Sequence, residues 1–219
     1  MKELRVRVTF IEECLGSASA NPNVHEEYIA SKAPDAKSTK EEVEALGVEE
    51  VFEKGMTIFP KDENGNPFFW DYQVKGFFKD TCGALSRCKG EEIAKQSCGM
   101  KAYKKIIDGC IFVEPRRIAI DMHGGEIGLC QRPLRGQTAQ GERIALATSE
   151  TIPAGSTIEF KVVCLSDAYE KAVIEWLEYG KFRFMGSWRN SGKGRGYYEI
   201  LDDEGNVISG NLPEGFAAA

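Results

Sequence analysis

The residues best suited to chemistry lie in one glycine-rich run, Gly186-Ser-Trp-Arg-Asn-Ser-Gly-Lys-Gly-Arg-Gly196. Glycines at 186, 192, 194 and 196 alternate with Arg189, Lys193 and Arg195. Backbone amides left open by small residues and interleaved with cations make a candidate phosphate-binding loop. Trp188 offers a stacking face for a base, a contact worth about 1–3 kcal/mol in single-strand binders. Asn190 and Ser191 belong to the same candidate site. The alternative is a glycine-rich surface turn with Trp188 tucked into the core. The run is not a G-x-G-x-x-G element set after a strand and before a helix, so no dinucleotide site is expected.

Other cations are candidates for the same ligand. Lys75 and Lys79 stand four apart at the start of an expected helix, so they share a face that could meet phosphates or simply water. Arg132, Arg135 and Arg143 bracket a Gln- and Gly-containing stretch and would line the same groove, or cover surface. Arg116-Arg117 reads as an exposed pair. Arg5 and Arg7 share a strand face of the kind that RRM-like sheets use for nucleic acid, or one left to solvent. His25 and His123 are the only groups for acid–base work near neutral pH, and neither has a Ser or Cys partner in a recognisable motif. The seven cysteines are odd in number and include no C-x-x-C pair. Reduced, mostly buried thiols are expected, with no metal site and no cofactor.

Several elements must position these groups. Leu4, Val6, Val8 and Phe10 alternate with Arg5, Arg7 and Thr9, a strand with one apolar face. Residues 16–23 read as a loop opening an inserted acidic segment, 16–56. Within it a helix is expected over 24–55, with Ser38 and Glu41 as a capping box and Val43, Leu46 and Val51 as its apolar stripe. Met56–Phe59 is a short strand, and Asp62–Pro67 a turn with the hairpin pair Asn64-Gly65. Val74–Arg87 reads as a helix, with Val74, Phe77, Phe78, Cys82 and Leu85 as its apolar positions. Residues 89–99 are an irregular, glycine-bounded stretch. Ile111–Val113 and Arg117–Asp121 are strands around Pro115, and Gly124–Gly141 is a loop. Arg143–Ser149 and Thr157–Cys164 are strands flanking a turn at 153–155. Asp167–Tyr179 is a helix ended by Gly180, Lys181–Phe184 a short extended piece, and Tyr197–Leu201 the last strand. The order β, insertion, α, β, β, α, β predicts an α+β domain over 1–219, ferredoxin-like or RRM-like βαββαβ, with helices on one face of a sheet.

Composition bounds the rest. The 219 residues carry 28 basic and 34 acidic side chains, with 42% hydrophobic residues, an ordinary globular balance that excludes a disordered tail, a coiled coil or a collagen. No apolar run approaches the ~20 residues that span a bilayer. The first ten residues lack the apolar core of a signal peptide, so a cytoplasmic protein without a membrane partner is expected. Charge is uneven: residues 1–70 hold 8 basic and 14 acidic groups, 71–150 hold 13 and 10, and 151–219 hold 7 and 10. A nonspecific nucleic-acid coat is excluded by the acidic total, while a focused basic groove is not.

Three stretches, in order, resemble the RAMP superfamily, the backbone subunits of CRISPR effector complexes and above all the repeated subunit of type III complexes. Ile58–Phe68, then Val74-Lys75-Gly76 and its helix, are similar to the family's strand, D-x-x-G-x-P turn and S-L-K-G helix start. Ile120-Asp121 and Arg143–Phe160, ending Ser149-Glu-Thr-Ile-Pro-Ala-Gly-Ser-Thr-Ile-Glu-Phe160, are similar to its "I-D-R … E-x-V-P-x-G-x-x-F" strands. The run 186–196 resembles its "G-G-x-x-S-R-G-Y-G-R-V" loop. The resemblance implies a RAMP fold that binds single-stranded RNA, or ssDNA, in antiviral defence, with self-association or effector subunits as partners. Two departures matter. The family's P-G-S-S-L-K-G has become Trp70-Asp-Tyr-Gln-Val-Lys-Gly76. In type III subunits a catalytic aspartate sits in the loop after the first strand; here that loop, Gly16–Asn23, has no acid, and Glu26, Glu27 and Asp35 downstream cannot be matched to it. A noncatalytic nucleic-acid binder is therefore expected. The rivals are a standalone viral or mobile-element interaction protein, acting as decoy or nucleotide sponge, and a ribonuclease or phosphodiesterase using His123 or His25.

Overall fold

The computed structural model describes residues 1–19, 56–138 and 141–216, with backbone alone over 134–138 and 141–146. The expected helix with the Ser38–Glu41 box, and His25, lie outside the described residues. In chain order the elements are β1 Lys2–Phe10, β2 Cys14–Leu15, β3 Ala18–Ser19, β4 Thr57–Ile58, β5 Phe68–Trp70, α1 Asp71–Leu85, α2 Tyr103–Cys110, β6 Ile111–Glu114, β7 Arg117–Asp121, β8 Gly128–Thr138, β9 Gly141–Ile152, β10 Thr157–Cys164, α3 Asp167–Tyr179, β11 Gly196–Leu201 and β12 Val207–Gly210.

The alternation in β1 does what its pattern dictates. Leu4, Val6, Val8 and Phe10 are buried, and the strand pairs antiparallel with β10 on one side and β11 on the other. The main sheet runs β12-β11-β1-β10-β7-β5, with β6 also on β10. The buried faces of α1 (Val74, Phe77, Phe78, Cys82, Leu85) and α3 (Ala172, Val173, Trp176, Leu177) close the core against this sheet. Phe78 meets Trp176 at 5.4 Å and Phe77 meets Phe184 at 4.5 Å between ring centroids. The chain is thus α+β with largely antiparallel sheets.

The irregular stretch 89–99 is tied down by one carboxylate. Glu175 accepts the amides of Gln96 and Ser97 at 2.6 and 3.0 Å and the Ser97 hydroxyl at 2.5 Å. The Trp176 indole donates to the same hydroxyl at 3.0 Å, so buried polar groups here are mutually satisfied.

Several expectations change. Gly124–Gly141 is not a loop: β8 pairs with β9 from Gly128↔Thr151 to Thr138↔Gly141. Its local pattern hides this, because Leu129 is 67% exposed and Pro133 donates no hydrogen bond. A proline is tolerated on a strand paired along one side only, and the ladder with β9 supplies the order. β9 also joins β2, β4 and, through β4, β3 in a second sheet that periodicity did not announce. Lys181–Phe184 is turn rather than extended: the amides of Phe182 and Arg183 donate to the Tyr179 carbonyl, and Phe184 enters the core. α1 begins three residues earlier than expected, because the Gln73 amide oxygen accepts the Trp70 N–H at 2.8 Å and caps the first turn. α2 has no counterpart among the expected elements, because it buries only Ile107 fully and so shows little apolar periodicity. The thiols are free, but Cys88 and Cys98 are exposed rather than buried.

Two turns share one device. Asp62 accepts the amides of Asn64 and Asn66 and the Asn66 side chain, and Asp202 does the same with Glu204 and Asn206. These bonds favour the ionised form and hold both carboxyls below their ordinary value. A carboxyl lowered on folding stabilises fully above its unfolded pKa, and that stability is lost as pH falls through the folded one. Asp62→Ala and Asp202→Ala should therefore lower stability at neutral pH. In urea titrations the gap to the parent should shrink as the solution is taken below about pH 3, under the ordinary Asp value.

Candidate nucleic-acid interface

The glycine-rich run is built onto the chain between β1 and β2. Ser187 N–H donates to the Leu15 carbonyl at 3.0 Å, Gly194 N–H to Glu13 at 3.0 Å, and Ile11 N–H to Arg195 at 2.9 Å. Such contact leaves no room for side chains at two positions. Gly186 has φ +85°, and a Cβ there would lie 2.6 Å from Cys14 Sγ. Gly194 has φ +63°, and its Cβ would lie 1.9 Å from the Met185 carbonyl oxygen. These glycines serve a chain-on-chain approach. The amides of 187, 191, 192, 194 and 196 all donate to carbonyls of the protein itself, so the expected amide cradle does not exist at those positions. At those positions phosphate binding would fall to the side chains.

The side chains are matched by acids. Lys193 Nζ is 2.5 Å from Glu13, Arg195 Nη2 2.8 Å from Glu12, and Arg189 Nη1 3.3 Å from Asp80. Asp80 also takes Arg183 at 3.1 Å. Asn190 and Ser191 sit exposed on the 3-10 turn that follows Trp188. Trp188 is not in the core: it is 39% exposed, and the Arg132 guanidinium lies 4.6 Å from its ring centroid. Arg132 Nη1 also donates to Ser149 Oγ at 3.4 Å. β8 thus delivers Arg132 to the loop. Arg135 pairs with Ile144 and Arg143 with Gly136 farther along the same hairpin.

Lys75 and Lys79 are not brought to the loop. Lys75 donates to the Asp108 carbonyl at 3.2 Å and lies 5.2 Å from the Phe112 ring centroid, and Lys79 is 2.5 Å from the Asp108 carboxylate. Burial pulls the Lys75 ammonium below its usual pKa, against the opposing pull of Asp108. On the open sheet face, Arg7 pairs with Glu159 and Glu199, and Lys161 with Glu3 and Glu114. Arg5 donates to the carbonyls of Asp202 and Asp203. That face is a balanced charge ladder.

Between α1, β3 and the loop lies a cleft of about 440 Å³, lined among others by Ser17, Tyr72, Gln73, Gly76 and Arg189. His123 stands elsewhere, on an exposed turn at φ +50°. Its Nδ1 is 3.3 Å from Asp121 and its Nε2 3.1 Å from Thr157 Oγ1. Burial raises the Cys14 and Cys82 thiols above their ordinary pKa, which leaves them protonated at neutral pH and poor nucleophiles. Sequence reasoning missed Glu12, Glu13 and Asp80 as partners, although the acidic pair directly after the first strand was visible.

No family model and no curated protein matches the chain. Among solved structures, a chain of the cryo-EM structure of the type III-B Cmr-beta complex bound to cognate target RNA is similar at 12% identity, with a TM-score of 0.49. The match covers 92% of this chain and 60% of that one, so this chain spans three-fifths of its neighbour's length. Neither result assigns a family. Among the described residues no helix is long and apolar enough to cross a membrane.

The close packing has a direct consequence. Gly194→Ala should cost about 2 kcal/mol or more, because it combines a positive φ with backbone overlap. Gly76→Ala, in α1 with nothing within 4 Å of its Cβ, should be neutral or stabilising by up to about 1 kcal/mol. Thermal melts of the two variants give the contrast.

Proposed function

We propose that this chain is a noncatalytic, RAMP-type nucleic-acid-binding protein that holds single-stranded RNA, or ssDNA, across the 186–196 loop. The observation that carries the reading is the convergence of Arg189, Lys193, Arg195 and the Arg132–Trp188 stack on one loop beside an open cleft. The strand order β11-β1-β10-β6, with α1 after β1 and α3 after β10, supports a ferredoxin-like core. Self-association along RNA, or assembly with CRISPR effector subunits, belongs to the same proposal and rests on the sequence resemblance.

The acids set the strength of binding. Ion pairs as exposed as Arg195–Glu12 contribute at most about 1 kcal/mol, so a strand of phosphates can displace the carboxylates. Each displaced acid nevertheless remains as a repelling charge beside the phosphate. Binding is then moderate, and it is steeply dependent on salt, because each phosphate neutralised in a single strand contributes about −0.7 to the slope of log affinity against log salt.

Fluorescence anisotropy with a labelled oligouridine tests this. Arg189→Ala, Lys193→Ala and Arg195→Ala should each weaken binding and flatten the salt slope, while Trp188→Ala should weaken it by about 1–3 kcal/mol with the slope unchanged. Glu12→Gln with Glu13→Gln should tighten binding several-fold at low salt. Parent-like binding by the triple Arg189/Lys193/Arg195 alanine variant would overturn the reading and leave an interaction module whose partner is a protein.

A further inference from the structure

We propose that the end of the molecule where α1 meets α2 is a second, purely electrostatic contact for nucleic acid, in which Arg87, Lys89, Lys101, Lys104 and Lys105 take the phosphates of a strand. This rests on the nucleic-acid reading above and extends it beyond the 186–196 loop. Residues 86–105 hold six basic and two acidic side chains, in a chain whose formal net charge is −6. All five named cations are exposed. Among the described residues none of the five meets a carboxylate; the sixth cation, Lys95, lies 3.6 Å from Glu92. The loop is the reverse case, since Arg189, Lys193 and Arg195 each meet an acid.

The antiparallel packing of the two helices gathers these charges. Asp108, late in α2, meets Lys79 and Lys75 of α1. Tyr103, first in α2, stands against the far end of α1, where a Cβ on Gly83 would lie 2.8 Å from its hydroxyl oxygen. The start of α2 therefore lies beside the end of α1. The chain between them is pinned to the same place: Cys98 Sγ donates to the Cys88 carbonyl at 3.4 Å and to that of Leu85 at 3.7 Å, and Glu175 holds the amides of Gln96 and Ser97. The backbone that bears the cations is fixed before binding, so only side chains must be ordered. The fold accounts for two of the five charges. Arg87 and Lys89 follow the C-terminus of α1, where the helix dipole favours cations. Lys104 and Lys105 fall in the first turn of α2, where the dipole favours acids, and that turn has none. Their charges oppose the local preference, which points to an anion outside the chain. Nothing apolar competes for the partner: Ile93, Met100 and Tyr103 pack against the core, and no large hydrophobic residue of 86–105 is exposed. Protein interfaces are centred on apolar and aromatic groups and are depleted in lysine. Point charges on flexible stems suit the phosphates of a strand, whatever its sequence.

Fluorescence anisotropy on the full chain tests the patch, with a labelled oligouridine of about 30 nucleotides, longer than the roughly 4–16 that one small fold covers. Lys104→Gln with Lys105→Gln should weaken binding about ten-fold at low salt and flatten the slope of log affinity against log salt by about 1.4, twice the contribution of one phosphate. Lys104→Arg with Lys105→Arg should bind as the parent does. Lys2→Gln with Lys161→Gln removes the same charge from the open sheet face and should change binding by no more than about two-fold. The glutamine pair in α2 should melt at or above the parent temperature; a marked fall would show that the lysines serve the fold, and would overturn the patch. Parent-like RNA binding by that pair, with the Arg189/Lys193/Arg195 alanine variant weakened, overturns the patch and leaves the loop reading standing. The converse result overturns the loop reading and leaves the patch as the nucleic-acid contact. Equal weakening by the sheet-face pair reduces the effect to net charge and overturns the patch. If the α2 pair loses binding of a polyglutamate peptide while keeping RNA, the patch belongs to an acidic protein and the nucleic-acid assignment is overturned.

Discussion

The close approach of the 186–196 loop to residues 11–15 is the constraint on which the candidate site depends. Gly194 can sit against the Met185 carbonyl, and Gly186 against Cys14, only because neither has a side chain. That contact joins the end of β1 to the start of β11, across the core that α1 and α3 close. It also sets the loop's chemistry. With the amides of 187, 191, 192, 194 and 196 committed to the protein's own carbonyls, what the loop presents at those positions is side chains: cations and an indole.

Charge is then the second constraint. The segment that receives the loop brings Glu12 and Glu13 to Arg195 and Lys193, and α1 brings Asp80 to Arg183 and Arg189. The same proximity that orders the loop supplies carboxylates where phosphates would sit. An acidic protein thereby carries a concentrated set of cations without a strong positive field. The cations are pre-positioned, and on the proposed reading a polyanion would gain access to them by exchange, which would make ionic strength the controlling variable. The open sheet face shows the opposite use of charge: Arg7 and Lys161 are spread along strands among glutamates that pair with them, and Arg5 donates to backbone carbonyls.

Much of this was legible from residues alone where the signal was local. The alternation in β1, the capped and glycine-ended α3, and the crowding of cations among glycines at 186–196 each follow from near neighbours. What was not legible came from distant partners. β8 exists because β9 pairs with it; its own residues, with an exposed Leu129 and a central Pro133, do not declare a strand. Glu13 and Lys193 are 180 residues apart, and the glycines between Arg189 and Arg195 read equally well as a cradle for phosphate or as a fit against the protein's own backbone. Lys75 and Lys79 share a helical face as their spacing requires, but α2, unseen in the sequence, supplies Asp108 to that face. Trp70 and Tyr72 register in the sequence only as the loss of small residues, and not as the stacked pair they form.

The central claim is that the loop's cations are held by acids that a nucleic acid displaces. A double-mutant cycle on Glu12 and Arg195, read both by stability and by affinity for a single-stranded RNA, tests it most directly. Glu12→Gln should lower stability slightly and tighten RNA binding in the parent; in an Arg195→Ala background it should leave stability unchanged and tighten binding by a clearly smaller factor, the residue of plain charge repulsion. If Glu12→Gln tightens RNA binding by the same factor whether or not Arg195 is present, the acid acts only as general negative charge, and the account of displacement is wrong.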